Sequence, residues 1–192
     1  MKNHFYAMMS RMKNIYRWGL MRNTRNENLS EHSLEVAMVA HALAVIKNKR
    51  LNGNVDANRI ATAALFHDTS EIITGDMPTP IKYYNSDIKK AYKQIEKVSE
   101  ERLIGMLPED MRDEFYSLYN PNEEEKRIIK AADKISALIK CIEELSTGNR
   151  EFAVAKKTIR QAITDLKLPE ADIFMEEFME SFSLSLDEQN SL

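Results

Sequence analysis

At 192 residues the chain fits one domain, and its 43% hydrophobic and 30% charged residues allow a sizeable core with a well-solvated surface. Only five Gly and five Pro argue against a β-rich or low-complexity chain, and no internal repeat of roughly 20–50 residues stands out. A net charge of −3 speaks against a nucleic-acid polymer as partner, and no uninterrupted apolar run reaches the roughly 18–20 residues that span a bilayer.

The N-terminus lacks a compact apolar segment with a cleavage site, so no secretory signal is read. One cysteine, Cys141, excludes an internal disulfide framework, and with eleven Met it suits a reducing cytoplasm. Charge is uneven. Residues 1–26 carry Lys2, Arg11, Lys13, Arg17, Arg22 and Arg25 without an acid, whereas from Pro169 onward there are acids but no Lys or Arg. The basic start reads as a transit peptide, as a solvated helix face, or as a source of an arginine that meets an anionic substrate. Tyr, Trp and Met at roughly helical spacing favour a structural role for the segment.

The pattern is helical nearly throughout. A first helix is expected over about 3–17. "NENLSEH" carries a start signal, with Asn28 as cap and Glu31 three residues on, and the helix should run to about Ile46 as a central element. "NKRLNGN" reads as a loop. A third helix is expected over about 56–74, closed by Gly75. The two prolines of "GDMPTP" should forbid a helix there. Helices are then expected over about 86–106 and 108–119. A long one follows, capped by Asn120 with Pro121 at its first position and Glu123 completing the box, and closed by Gly148. Two more fit 149–166 and 169–181, before a loose tail over 182–192. The expected fold is all-α, a single helical domain of seven or eight helices.

Within "ATAALFHDTSEI" an Ala, Leu and Phe run suddenly carries His67, Asp68 and Glu71. Polar groups so placed need partners. His67 and Glu71 are four apart and should share one helix face, with Asp68 turned about 100° away. Two further residues can meet them: His32 in "SEHSLEVA" and Asp133 in the apolar "IIKAADKISAL". Taken singly, His32 could face water, Asp133 could pair with Lys134, and His67 with Asp68 could be a bonded core pair. Together, His32, His67, Asp68 and Asp133 form a mixed nitrogen and oxygen set suited to one divalent transition metal. Four protein ligands leave positions for water and a substrate oxygen, as in catalytic sites. His41 lies nine residues after His32, about half a turn round the helix, and His4 lies near the terminus; both are expected to be non-ligands. The metal-bearing core would then span about 28–145, with the helices of 149–181 added to it.

The pattern H…HD…D on a helical background resembles the HD-domain metal-dependent phosphohydrolases. "YRWGLMRNTRNENLSEHSLEVAMVAHALA", "FHDTSEIITGDMPTPIKYYN" and "EEKRIIKAADKISALIKCIEEL" resemble, more narrowly, the bacterial 5′-deoxynucleotidases of the YfbR type. The RW pair before the first metal histidine and the GD-x-PTP run after HD are the specific features; the family's GDLPTP reads GDMPTP here. The resemblance implies hydrolysis of deoxyribonucleoside 5′-monophosphates by a homodimer. His32, His67, Asp68 and Asp133 would hold the metal, cobalt by resemblance, with manganese, copper or another metal as alternatives. It further implies that Arg17 orients the phosphate and that Trp18 crowds the sugar at C2′. Asp68, Asp76, Met77, Pro78, Thr79 and Asp133 would line the substrate pocket. Glu71 would orient or deprotonate water, or assist the leaving oxygen. Without the resemblance, Trp18 is a helix-end aromatic and 76–79 a proline turn. The competing functions are another HD nucleotide phosphohydrolase or phosphodiesterase, or a non-catalytic nucleotide sensor.

Overall fold

The computed structural model describes residues 3–82 and 84–190, apart from the side chain of Thr79. These residues form helices α1 (Phe5–Met9), α2 (Leu29–Arg50), α3 (Ala57–Phe66), α4 (Glu71–Thr74), α5 (Thr79–Lys82) and α6 (Ser86–Ile104). They continue with α7 (Arg112–Tyr119), α8 (Glu123–Ser146), α9 (Ala153–Thr164), α10 (Pro169–Glu177) and α11 (Leu186–Asn190). Seven of them, α2, α3 and α6 to α10, run eight residues or more. No strand forms among the described residues; Tyr16 and Asn28 make one isolated antiparallel bridge. The fold is all-α, as expected.

α2 and α8 are the two long central helices. Leu43, Ala40 and Val36 of α2 and Ile128, Ile135 and Leu138 of α8 are fully buried, and α3 and α10 close the same core. By length and composition α2 passes as a membrane-crossing helix, but 56% of its apolar window is buried inside the protein. Its start is the expected capping box: the Asn28 side chain accepts from the backbone of Ser30 and Glu31, and Glu31 reaches back to Asn28.

Several boundaries differ from the sequence reading for identifiable reasons. The first segment is not one helix over 3–17. α1 tightens into a 3-10 stretch over Ser10–Asn14 and becomes extended at Ile15. Phe5 is buried against Leu103 and Leu107, which makes this basic segment part of the fold. α2 runs past Ile46 to Arg50, because the Asn48 side chain bonds both the N–H and the C=O of Val55 and folds the loop back onto the helix. α5 begins inside "GDMPTP" despite its prolines. Pro78 precedes the helix and Pro80 sits in its first turn, where no intrahelical N–H bond is needed. The cap of α8 is Asn122 with Glu125, two residues beyond the expected pair, because the Asn120 N–H is used to close α7 on the Tyr116 carbonyl. α11 gives the tail a short exposed helix; Ser191 and Leu192 lie outside the described residues.

Candidate active site

The expected third helix is broken where the chemistry lies. α3 ends at Phe66, and the chain tightens: Thr69 N–H reaches the Phe66 carbonyl at 3.2 Å and Glu71 N–H the Asp68 carbonyl at 3.0 Å. His67 and Glu71 therefore do not share the face of one continuous helix. The break turns His67 and Asp68 toward the same point, which a regular helix with 100° between neighbours would not do.

That point lies between α2 and α8. One ligand atom each from His32, His67, Asp68 and Asp133 falls within 4.8 Å of the others. His67 Nε2 is 3.1 Å from Asp68 Oδ2, and His32 Nε2 is 3.2 Å from Asp133 Oδ1 and 3.6 Å from Asp68 Oδ2. Both Nε2 atoms are buried without a hydrogen-bond partner, while both Nδ1 atoms are engaged, His32 with Ser136 Oγ at 3.1 Å and His67 with the Ala64 carbonyl at 2.8 Å. Outer nitrogens fixed by the protein and inner nitrogens aimed at carboxylates are what a divalent cation requires of imidazole ligands. The donor set therefore fits the expected metal. His41 is exposed on α2 and His4 is exposed beside α1, so neither joins the cluster.

The charges of the cluster offset one another. Burial alone would lower His67, but the Asp68 carboxylate pushes it up to about 9. Burial alone would raise Asp68 and Asp133. Opposing charge from His67 and Arg17 holds Asp68 well below the usual carboxylate range, and His32 draws Asp133 down to about 2. The two acids are thus ionised at neutral pH and ready to bind a cation.

Arg17 reaches the same carboxylates, with Nη1 3.3 Å from Asp68 and Nη2 3.9 Å from Asp133. Its loop is held in place by the Tyr16–Asn28 bridge and by the Arg17 N–H to Glu27 carbonyl bond at 3.0 Å. Glu27, which sequence reasoning missed, organises this corner. Its carboxylate lies 3.4 Å from Arg17 Nε and accepts the Trp18 indole N–H at 2.8 Å. Trp18 packs against Phe152, with ring centroids 5.3 Å apart, and has a φ of 60°. A left-handed backbone costs a bulky residue on the order of 1–2 kcal/mol, which these contacts offset. Buried Lys140 and Glu144 of α8 pin the next part of the loop through Arg25 and Thr24.

Burial pushes the Asp76 carboxyl up, while Arg17 and the nearby Trp18 backbone N–H draw it down, which places the GDMPTP segment beside the RW turn. Met77 and Pro78 are half-buried beyond it; the Thr79 side chain lies outside the described residues. Glu71 is 3% exposed, and its Oε2 has no hydrogen-bond partner. Burial first, then the charges of Asp68 and Asp76, push its carboxyl up to about 9. Lys82 of α5, another residue not foreseen, lies 4.0 Å from Glu71 Oε1. A cavity of about 310 Å³ borders His67 and Asp133 and extends past Tyr119, Leu118, Lys126 and Lys130. This opening on the α7–α8 side of the cluster was also not expected.

Comparison with known proteins agrees with this geometry. The family described as 5′-deoxynucleotidase YfbR-like matches residues 4–182. A 5′-deoxynucleotidase of Enterobacter sp. (strain 638) is 53% identical, the alignment covering 97% of this chain and 96% of that protein. One from Vibrio vulnificus is 52% identical, covering 97% and 98%. Among solved structures, an HD-domain phosphohydrolase from Listeria innocua superposes with a TM-score of 0.82 at 20% identity, covering 97% of this chain and 91% of that one. The HD phosphohydrolase of cyanophage S-2L, solved bound to dA and one catalytic Zn²⁺ ion, superposes with a TM-score of 0.64 at 19% identity, covering 92% and 95%. The chain, an HD-domain fold by its architecture, belongs to the YfbR-like 5′-deoxynucleotidase family.

Proposed function

We propose that the protein is a metal-dependent phosphomonoesterase that hydrolyses 2′-deoxyribonucleoside 5′-monophosphates to deoxynucleoside and phosphate. The observation that carries this reading is a half-buried guanidinium facing two carboxylates of a four-residue candidate metal cluster, with a tethered indole as its neighbour. His32, His67, Asp68 and Asp133 would hold one divalent cation, with cobalt the first to test by resemblance. Such a cation, when bound, polarises a phosphoryl oxygen and acidifies a coordinated water.

The chain's own groups do the rest. Arg17 donates its fork of N–H groups to the phosphoryl oxygens; Glu27 and Asp68 already hold it in place, so little orientational freedom is lost on binding. Phosphoryl transfer depends mainly on such positioning and charge neutralisation. Water attacks phosphorus as the bond to the 5′-oxygen breaks; Glu71, which holds a proton at neutral pH, gives it to that oxygen and regains one from the attacking water. Trp18 stands beside the sugar, where hydrogen at C2′ fits and a hydroxyl clashes. Asp76, Met77, Pro78 and Thr79 form the substrate-facing wall continuous with it. The proposal extends to a homodimer in the cytoplasm, which light scattering and cell fractionation test.

The deciding experiment measures phosphate released from a panel of deoxy- and ribonucleoside mono-, di- and triphosphates by metal-stripped protein with added divalent ions. Deoxynucleoside monophosphates should be consumed selectively. Nucleotide binding without turnover would favour a sensor, and preference for another phosphate ester would favour another HD hydrolase.

A further inference from the structure

We infer that Glu35 and Ser136 are positioning residues that set the direction and basicity of the His32 imidazole. This inference rests on reading the four-residue cluster as a metal site. His32 and Ser136 are both fully buried, on α2 and α8, and meet through Nδ1 and Oγ at 3.1 Å. The Ser136 hydroxyl in turn donates to Glu35 Oε2 at 2.5 Å. A hydroxyl has one proton, and the ionised Glu35 carboxylate takes it. Ser136 Oγ therefore faces His32 only as an acceptor, and Nδ1 must carry the proton. This fixes the tautomer: the Nε2 lone pair is left free on the side facing Asp133 and Asp68.

The three groups form a line of carboxylate, hydroxyl and imidazole that crosses from one central helix to the other and back. Glu35 lies one turn after His32 on α2, and Ser136 lies three residues after Asp133 on α8. The relay thus locks the two helices in the register that brings His32 and Asp133 together. Its outer end is half-buried beside a small cavity of about 90 Å³ bordered by Arg25, Glu27 and Lys140. Glu27 Oε1, at 3.8 Å from His32 Nδ1, is too far to replace Ser136 as acceptor.

The test compares Ser136→Ala, Ser136→Thr, Glu35→Ala and Glu35→Gln in the full chain. It reads cobalt(II) affinity by titration, the visible spectrum of the cobalt-loaded protein, and the melting temperature of the metal-free protein. Loss of such an outer partner costs metal affinity on the order of 10–100-fold. Ser136→Ala and Glu35→Ala should lose affinity in that range, with a shifted cobalt spectrum, while the metal-free protein still folds and melts cooperatively. Ser136→Thr and Glu35→Gln, which keep a hydroxyl and an acceptor, should lose much less. If Ser136→Ala does not fold, the half-buried Glu35 pair decides alone. Alanine variants that bind cobalt like the parent, or conservative variants that lose as much as alanine, overturn the relay. A parent protein that binds no cobalt, or any other divalent ion, overturns the metal site instead.

Discussion

Truncating Trp18 to Ala isolates the proposed basis of sugar choice. The indole is fixed by its N–H bond to Glu27 at 2.8 Å, by Phe152 at 5.3 Å between centroids, and by a left-handed backbone that leaves it little freedom. An apolar wall that merely disfavours an added hydroxyl discriminates by about 10²-fold; rejection beyond that needs a surface that cannot yield. A doubly tethered ring next to Arg17, the proposed phosphate-binding residue, is such a surface. Trp18→Ala should therefore lower the ratio of kcat/KM for dAMP over AMP by about 10²-fold or more, worth about 2.7 kcal/mol at 10². The change should come chiefly from gained turnover of AMP, although dAMP will also lose some positioning. Trp18→Phe keeps the contact with Phe152 but not the Glu27 bond, and should fall between the two. The assay is steady-state phosphate release with each nucleotide. An unchanged ratio in Trp18→Ala would refute the reasoning and move sugar selection to the 76–79 segment.

Other outcomes follow from the same geometry. Glu71→Gln should retain metal and nucleotide binding but lose about 10²–10⁴-fold in kcat, the contribution of one positioned proton donor; loss of metal on equilibrium dialysis would make Glu71 a ligand instead. Replacing His32, His67, Asp68 or Asp133 singly should lower metal content and turnover together, whereas His41→Ala should leave both intact by elemental analysis. Burial raises the Glu35 carboxyl to about 7 in the folded chain from its ordinary 4.5, so ionisation opposes folding once pH rises above the unfolded value. Both states are neutral below that value, and the penalty grows between about 4.5 and 7. In metal-free protein, the melting temperature of Glu35→Gln relative to the parent should therefore rise from pH 4 to pH 8; a constant difference would contradict the shift.

Much of this site was legible before any coordinates. Asn28 and Glu31 announced the start of α2, and so placed His32 one turn inside a buried helix. His67, Asp68 and Asp133 stood out as polar groups in apolar runs, and they do converge. Helical periodicity put His67 and Glu71 on one face, but the turn between Phe66 and Glu71 breaks the helix, and no Gly or Pro in "FHDTSE" marks the break. The α8 cap was misplaced because Asn120 and Asn122 each have Glu three residues on, and only the end of α7 distinguishes them. Glu27, Glu35 and Ser136 gave no local signal. Each acts on a residue of another segment, and Ser136 meets His32 across 104 residues of chain.

The most direct test of the central claim is phosphate release from dAMP and AMP by protein stripped of metal, then titrated with cobalt(II). Turnover of dAMP should be absent in the stripped protein, return in step with binding of one ion per chain, and exceed that of AMP throughout. Phosphate release that survives metal removal, or that treats AMP and dAMP alike, would contradict it.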